Sequence, residues 1–482
     1  MSDEPRDWRD ERIAELEAEN ERLRRRAEYA DELEARLSEA LDRIAELERR
    51  LGLSSQNSSK PPSSDSRKQR KRRRRKKPSG RSPGGQPGHE GHRRKLVPHD
   101  EVDDFRLYLP SNCAECGLEL SADQQTRAPM RHQVFELVEK PVKCTEHQVA
   151  SCQCPGCGHT TRGKLPDEVA TSGWGARLTA LVATLAAVTR DSRRQTDWFL
   201  EHVLGAPSSV GTVHAHLLEV SESLKPAFEQ IRAGLDGVDV IGVDETGWRL
   251  GQLPYWVWVV VGESGAIYRI RSRRTKRTAK EVVGEIGDRI VVTDRYGAYS
   301  FIPADRRQIC HAHLLRQFTA MKARDGPVGV MGKQLERLSR EMQWQYDRVK
   351  NKERTRKGFV HWVKHAVRPR WEQLLGEANA TDDAPSVVRW LLEKKHLDLA
   401  WTFLDHRGVE PTNNAAERAL RGPVIHRKLS WGSKSEDGLR LMERLWSVVE
   451  TCRKRSLEVL DHISEAVEAF RTSQPAPVLS PG

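Results

Sequence analysis

At residue 236 the apolar periodicity of the chain switches from helical to alternating, and this switch constrains its fold most. Five strand-like runs follow: Val238–Val243, Tyr255–Gly262, Ala266–Ile270, Arg289–Thr293 and Arg307–Cys310. A helix is expected over Lys276–Ile286. Short connections join the first three strands, which suits an antiparallel meander. The helix then acts as a crossover and returns the fourth strand parallel beside the first.

That order, βββαβ…β, is the order of the ribonuclease H-like fold. It sets a carboxylate on strand one beside a carboxylate at the end of strand four, and Asp244 and Asp294 occupy those places. An Asp that continues an apolar strand is costly unless it is paired or bound to metal. Asp294 also fits a plain strand-to-turn residue. Paired carboxylates hold hard cations such as Mg²⁺ or Mn²⁺. Two such ions about 3.5–4 Å apart activate the attacking oxygen and stabilise the leaving oxygen in phosphoryl transfer. A third acid is needed, and Glu417 in Pro411-Thr412-Asn413-Asn414-Ala415-Ala416-Glu417-Arg418 is the candidate. If Asn414 caps the helix, Glu417 falls at its third position and also fits a capping box. Glu410 is a weaker rival.

The flanks say where such chemistry would act. The net charge of +12 lies entirely in residues 54–100, which hold 15 basic residues and 3 acids. Within them, Arg67–Lys77 has ten cations in eleven residues, including Arg70, Lys71, Arg72, Arg73, Arg74, Arg75, Lys76 and Lys77. Such a block cannot fold alone and binds DNA with salt-sensitive, sequence-blind affinity. A histone-like charge distribution is excluded. Before it, Ile13, Leu16, Leu23, Ala27 and Ala30, then Leu33, Leu37, Ala40, Ile44, Leu47 and Leu51, trace a coiled-coil seam with one stammer. Asn20 at a core position favours a register-fixed dimer.

After it, Cys113-x-x-Cys116 and Cys154-x-x-Cys157 form two knuckles, each followed by Gly, with 37 residues between the pairs. Four thiolates with no open position make a structural Zn²⁺ site. Cys152 remains an alternative to Cys154, with Cys144, His147 and His159 nearby. Gln133–Val138 and Pro141–Val149 read as strands of a zinc ribbon.

Over 174–233 the pattern is helical: Leu178–Val188, then Arg193–Leu204, then a helix capped by Ser208 or Ser209. The outline is that of a helix-turn-helix, which plain helical hairpins share. Between Leu314 and Asp405 a charged helical insertion carries Trp344, Trp362, Trp371, Trp390 and Trp401, read as packing residues. His313 and Arg316 open it, and either hold phosphate or pack. Arg418, Arg421, Arg427 and Lys428 are candidates to follow a DNA backbone.

Several of these motifs occur together with Asn57-Ser58-Ser59-Lys60-Pro61-Pro62 and Gly84-Gly85-Gln86-Pro87-Gly88-His89. So do Val243–Trp248, Thr293-Asp294-Arg295-Tyr296, Cys310-x-x-His313-Leu314-x-Arg316 and the Pro411–Arg418 run. In this order, over about residues 50–470, the chain resembles transposases of the insertion sequence 66 family. The resemblance implies a DDE triad of Asp244, Asp294 and Glu417, end cleavage with strand transfer, and small accessory proteins of the same element. A regulatory DNA-binding protein and a nuclease that cuts without joining fit the same motifs.

The expected architecture is multidomain α/β. A coiled coil spans 1–53, a basic linker 54–110, a zinc ribbon 111–165 and a helix-turn-helix-like region 170–235. The ribonuclease H-like core spans 236–420 with an insertion at about 314–408, and C-terminal helices span 421–482. No run reaches the roughly 20 apolar residues of a membrane helix, and the N-terminus lacks a signal-peptide core. The expected partners are therefore DNA and a second copy of the chain, and the expected location is the prokaryotic cytoplasm at the nucleoid.

Overall fold

The computed structural model describes residues 8–50, most of 96–166, and 173–479 apart from 394–395. The basic block with Arg70–Lys77, and Cys113 and Cys154, lie outside the described residues. The chain is mixed α/β. No helix among the described residues is long and apolar enough to cross a membrane.

The helix α1 spans Trp8–Arg50. A two-stranded hairpin follows, β1 (Ser151–Gln153) with β2 (Thr160–Arg162). Next come α2 (Ala176–Thr184), α3 (Arg193–His202), α4 (Val210–Ser223) and α5 (Lys225–Asp236). The central sheet has β3 (Val240–Leu250), β4 (Leu253–Val261) and β5 (Ala266–Arg271), then α6 (Lys276–Val283), β6 (Ile290–Thr293) and β7 (Arg307–Ile309). The insertion comprises α7 (His311–Lys322), α8 (Gly326–Lys350), α9 (Arg356–Trp362), α10 (Arg368–Asn379), α11 (Ser386–Leu392) and α12 (Thr402–Asp405). Four helices close the chain: α13 (Asn414–Ala419), α14 (Arg421–Ser430), α15 (Glu436–Lys454) and α16 (Val459–Arg471).

The sheet order is β5-β4-β3-β6-β7. The β3–β4 and β4–β5 pairs are antiparallel, whereas β3–β6 and β6–β7 are parallel. This is the meander with a parallel crossover that the strand pattern implies. Within the sheet region two boundaries differ by three residues or more. β3 continues to Leu250, because a two-residue turn with Gly251 at φ 58° lets β4 pair along its whole length. α6 stops at Val283 because Gly284, at φ 73°, takes a conformation that ends a helix.

Alternation along the strands feeds two cores. Ile241, Val243 and Val291 pack with α2, α4, α5, α15 and α16. Ile290, Val292 and Ile309 face the opposite way, into the insertion. Trp371 and Trp401 are fully buried there, whereas Trp344 is exposed. The helices before the sheet therefore share a core with the C-terminal helices. Arg471 on α16 fixes that junction by donating to the Trp174 carbonyl, Thr179 Oγ1 and the Glu219 carboxylate. Ser192 forms a capping box with Gln195 on α3, and Ser209 caps α4.

β5 is an edge strand, and its outward N–H groups need partners. Three α15 residues at four-residue spacing supply them. Glu443 accepts from Ile270 N, Ser447 Oγ from Tyr268 N at 2.9 Å, and Thr451 Oγ1 from Ala266 N at 3.2 Å. The helix thereby closes the sheet edge with side chains.

One expectation fails. Gln133–Val138 and Pro141–Val149 are not strands, because neither finds a ladder partner among the described residues. Val134, Phe135, Leu137 and Val138 are all exposed, so no buried face fixes a register. The segment is held instead by Gln133, whose side chain bonds both the N–H and the carbonyl of Val97.

Replacing Ser447 by Ala strands the buried Tyr268 N–H. The expected loss is about 1–3 kcal/mol, read as a lower urea midpoint with far-UV circular dichroism unchanged. An unchanged midpoint would show that the helix does not satisfy the edge.

Candidate active site

The site starts from strand register. Val240 pairs with Ile290, Ile241 with Val291 and Gly242 with Val292. Continued by two residues, that register sets Asp244 beside Asp294. β3 needs a glycine at 242 because the neighbouring helix comes very close: a Cβ there would lie 2.6 Å from Asn413 Oδ1. Asn413 is the N-cap residue of α13, and its side chain does not cap the helix. It crosses to β3 instead, where Nδ2 donates to the Val243 carbonyl at 2.8 Å. Its backbone N–H donates to Cys310 Sγ at 3.2 Å, and His311 N donates to the Pro411 carbonyl at 2.9 Å. The starts of α7 and α13 are thus tied to each other and to β3.

Glu417 lies in the first turn of α13. The capping-box reading is not realised, because Asn413 and not Asn414 is the cap. The Glu417 carboxylate faces α7, with Oε1 3.5 Å from His313 Nδ1 and Oε2 3.5 Å from Arg316 Nη2. His313 and Arg316 therefore contact the third acid directly. Glu410 pairs with Lys350 at the surface, 2.5 Å away.

Asp244, Asp294 and Glu417 form one electrostatic cluster. Burial raises the Asp244 carboxyl well above the ordinary range, and the charges of Glu245, Asp294 and Glu417 add to the rise. Asp244 Oδ1 accepts from Glu245 N, and Asp294 Oδ1 from Tyr296 N at 2.8 Å.

Four supporting residues were not picked out by the sequence pattern. Glu245 is buried, pairs with Arg274 at 2.5 Å and accepts from the Tyr299 hydroxyl. Burial and Asp294 raise its carboxyl, opposed by Tyr299 and Arg274. Arg307 donates to Thr293 Oγ1 and to the carbonyls of Asp294, Tyr296 and Tyr299, holding the loop after β6. Burial lowers its guanidinium to about 10, so it remains a cation at neutral pH. The alternation after Asp244 signals a buried Glu245, but nothing local in the sequence names its partners.

The other candidates divide. Arg418, Arg421 and Lys428 face solvent. Arg427 does not: it turns inward to donate to the Gly247 carbonyl, and so braces β3. Of the thiols, Cys116 and Cys157 are exposed, each within a tight turn, and the second turn joins β1 to β2.

The donor set fits a hard divalent cation. All three groups are carboxylates, their mutual repulsion raises Asp244, and Glu417 Oε1 is buried with no hydrogen-bond partner. For Asp244, whose proton is held more tightly in the folded chain, the stabilising contribution is full below about pH 4 and is lost as pH rises through the raised folded value. Asp244→Asn removes that loss. In chelator, the variant is expected to melt above the wild type at pH 8, with the gap closing toward pH 4. Melting below the wild type at pH 8 would contradict the like-charge cluster.

Comparison with known proteins covers much of the chain. The family described as Transposase IS66 family matches residues 172–441, more than half of the chain. A family of unknown function, DUF6444, matches residues 3–95. An uncharacterised protein of Sinorhizobium fredii, y4qI, is 27% identical over 106 residues, which is 22% of this chain and 19% of that relative. The matched region thus spans about a fifth of the relative's length.

Proposed function

The chain belongs to the transposase IS66 family, and from that premise we propose that it cuts the ends of a mobile DNA element and joins the freed 3′-hydroxyl to target DNA. The observation that carries this reading is the meeting of Asp244, Asp294 and Glu417 in one cluster, on a sheet whose strand order is that of the ribonuclease H-like fold. Asp244 and Asp294 would hold divalent cations from β3 and the end of β6, and Glu417 would complete the set from α13. Bound Mg²⁺ or Mn²⁺ supplies the activation of water or 3′-hydroxyl and the charge stabilisation of the leaving oxygen. Arg316 orients Glu417 by donating to its Oε2 and offsets its charge when no cation is bound. Arg307 keeps the Asp294 carbonyl and the following loop in place, so that the carboxylate is presented toward the cleft.

The remaining parts supply DNA affinity and assembly in this reading. The Arg70–Lys77 block gives salt-sensitive binding, and the solvent-facing Arg418 and Arg421 extend it beside Glu417. The region over α2–α5 has the helix-turn-helix outline, and the cysteine knuckles form a zinc ribbon. Leu16, Leu23, Leu33 and Leu37 of α1 are all exposed, which suits a coiled-coil dimer that brings two DNA ends together. Accessory proteins of the element and a place at the nucleoid belong to the same proposal.

The test is purified chain with supercoiled DNA carrying the element's ends and Mg²⁺, scoring cleaved and joined products separately. Both are expected, and Asp294→Asn and Glu417→Gln should each reduce both by about 10³-fold, since losing a ligand removes several kcal/mol of charge stabilisation. Cleavage by Asp294→Asn at the wild-type rate would overturn the site. Cleavage without joining would make the protein a nuclease, and binding alone a regulator. Elemental analysis should find that zinc falls by one equivalent per chain in Cys116→Ser plus Cys157→Ser; an unchanged zinc content would overturn the zinc ribbon.

A further inference from the structure

Beside the carboxylate cluster lies a donor set of a different chemical kind. Cys310, His313 and Glu417 each present one ligand atom, and the three atoms lie within 4.8 Å of one another. The arrangement follows from local structure. Cys310 is the N-cap residue of α7 and His313 stands three positions into the helix, a spacing at which two side chains face each other. Glu417 reaches the same point from α13, which the Asn413 N–H to Cys310 Sγ bond holds against the start of α7.

Two further observations point to a ligand. His313 Nδ1 and Glu417 Oε1 are both buried, and neither has a hydrogen-bond partner. They stand 3.5 Å apart, about the edge length of a tetrahedron whose metal–ligand bonds are about 2.0–2.2 Å. A cavity of about 280 Å³ opens on Cys310 and His313 and is also lined by Asp294, leaving room for a fourth ligand such as water.

We propose that Cys310, His313 and Glu417 form a soft-metal site that takes Zn²⁺, and that filling it withdraws Glu417 from the hard-cation site. The inhibitory consequence rests on the catalytic reading above; the site itself does not. Thiolate and imidazole favour Zn²⁺, whereas Mg²⁺ favours oxygen donors. On binding, the Cys310 S–H bond breaks, its proton passes to solvent and the sulfur lone pair bonds the metal. No change of oxidation state is involved. The unpartnered Oε1 of Glu417 faces His313 and is also the oxygen free to take a hard cation, so Zn²⁺ and the Mg²⁺ chemistry compete for it.

Co²⁺ serves as a coloured substitute for Zn²⁺. Titrated into the full chain with its knuckle zinc in place, it should give one equivalent of a species with a thiolate-to-cobalt charge-transfer band. That band should vanish in Cys310→Ser, weaken at least about tenfold in affinity in His313→Gln, and persist in Asp244→Asn. Equal uptake and equal spectra in the wild type and in a Cys310→Ser protein that melts normally would overturn the site. If Cys310→Ser does not fold, the His313→Gln titration decides: unchanged affinity overturns it.

In the cleavage assay, Zn²⁺ at one equivalent over the knuckle metal should suppress the Mg²⁺-dependent reaction of the wild type. Full-rate cleavage with the site filled would overturn the competition. A chain that never cleaves, even without added Zn²⁺, counts against the catalytic reading, while the Co²⁺ titration still decides the site.

Discussion

The close approach of α13 to β3 is the contact on which the site depends. It is possible because residue 242 has no side chain, and it is held because Asn413 gives its side-chain N–H to the Val243 carbonyl instead of capping its own helix. The parallel register of β3 and β6 can bring two acids together by itself. The third arrives from far along the chain, after the helical insertion, and this contact helps fix where it lands. The same Asn413 reaches Cys310 through its backbone, so the insertion returns to the sheet at the point where it left. The insertion has its own core, built around the buried Trp371 and Trp401.

A cluster of acids in a half-buried setting is unfavourable without countercharge. The structure answers this unevenly. Glu245, on the other side of β3 from Asp244, is paired with Arg274 and bonded by Tyr299. Glu417 has the Arg316 guanidinium at longer range. Asp244 has no cationic partner among these contacts, and burial together with the neighbouring negative charges raises its proton affinity. An acid left unpaired in this way is held ready for a cation. The neighbouring Cys310 and His313 give the same pocket a second chemical preference.

Much of this was legible in the sequence. The five strands, their meander and crossover, and the positions of Asp244 and Asp294 follow from alternation and from the length of one connecting helix. The helical pattern before the sheet was also readable, down to a cap at Ser208 or Ser209, of which the structure uses Ser209. What the sequence did not reveal depends on distant partners. The α15 side chains that close the edge of β5 look like ordinary polar positions on a helix. Arg427 looks like a surface cation and is in fact a brace for β3. The two strands expected between the cysteine knuckles failed because alternation is only half of a strand; the other half is a partner. The local sequence also left Glu417 open between cap and ligand, and only the geometry of Asn413 removes the capping reading.

The most direct measurement of the central claim is the anomalous scattering of Mn²⁺ in crystals of the full chain. The account predicts Mn²⁺ density bounded by Asp244, Asp294 and Glu417, and, with DNA bound, two peaks about 3.5–4 Å apart. Active protein whose Mn²⁺ density avoids Asp244 and Asp294 would contradict it.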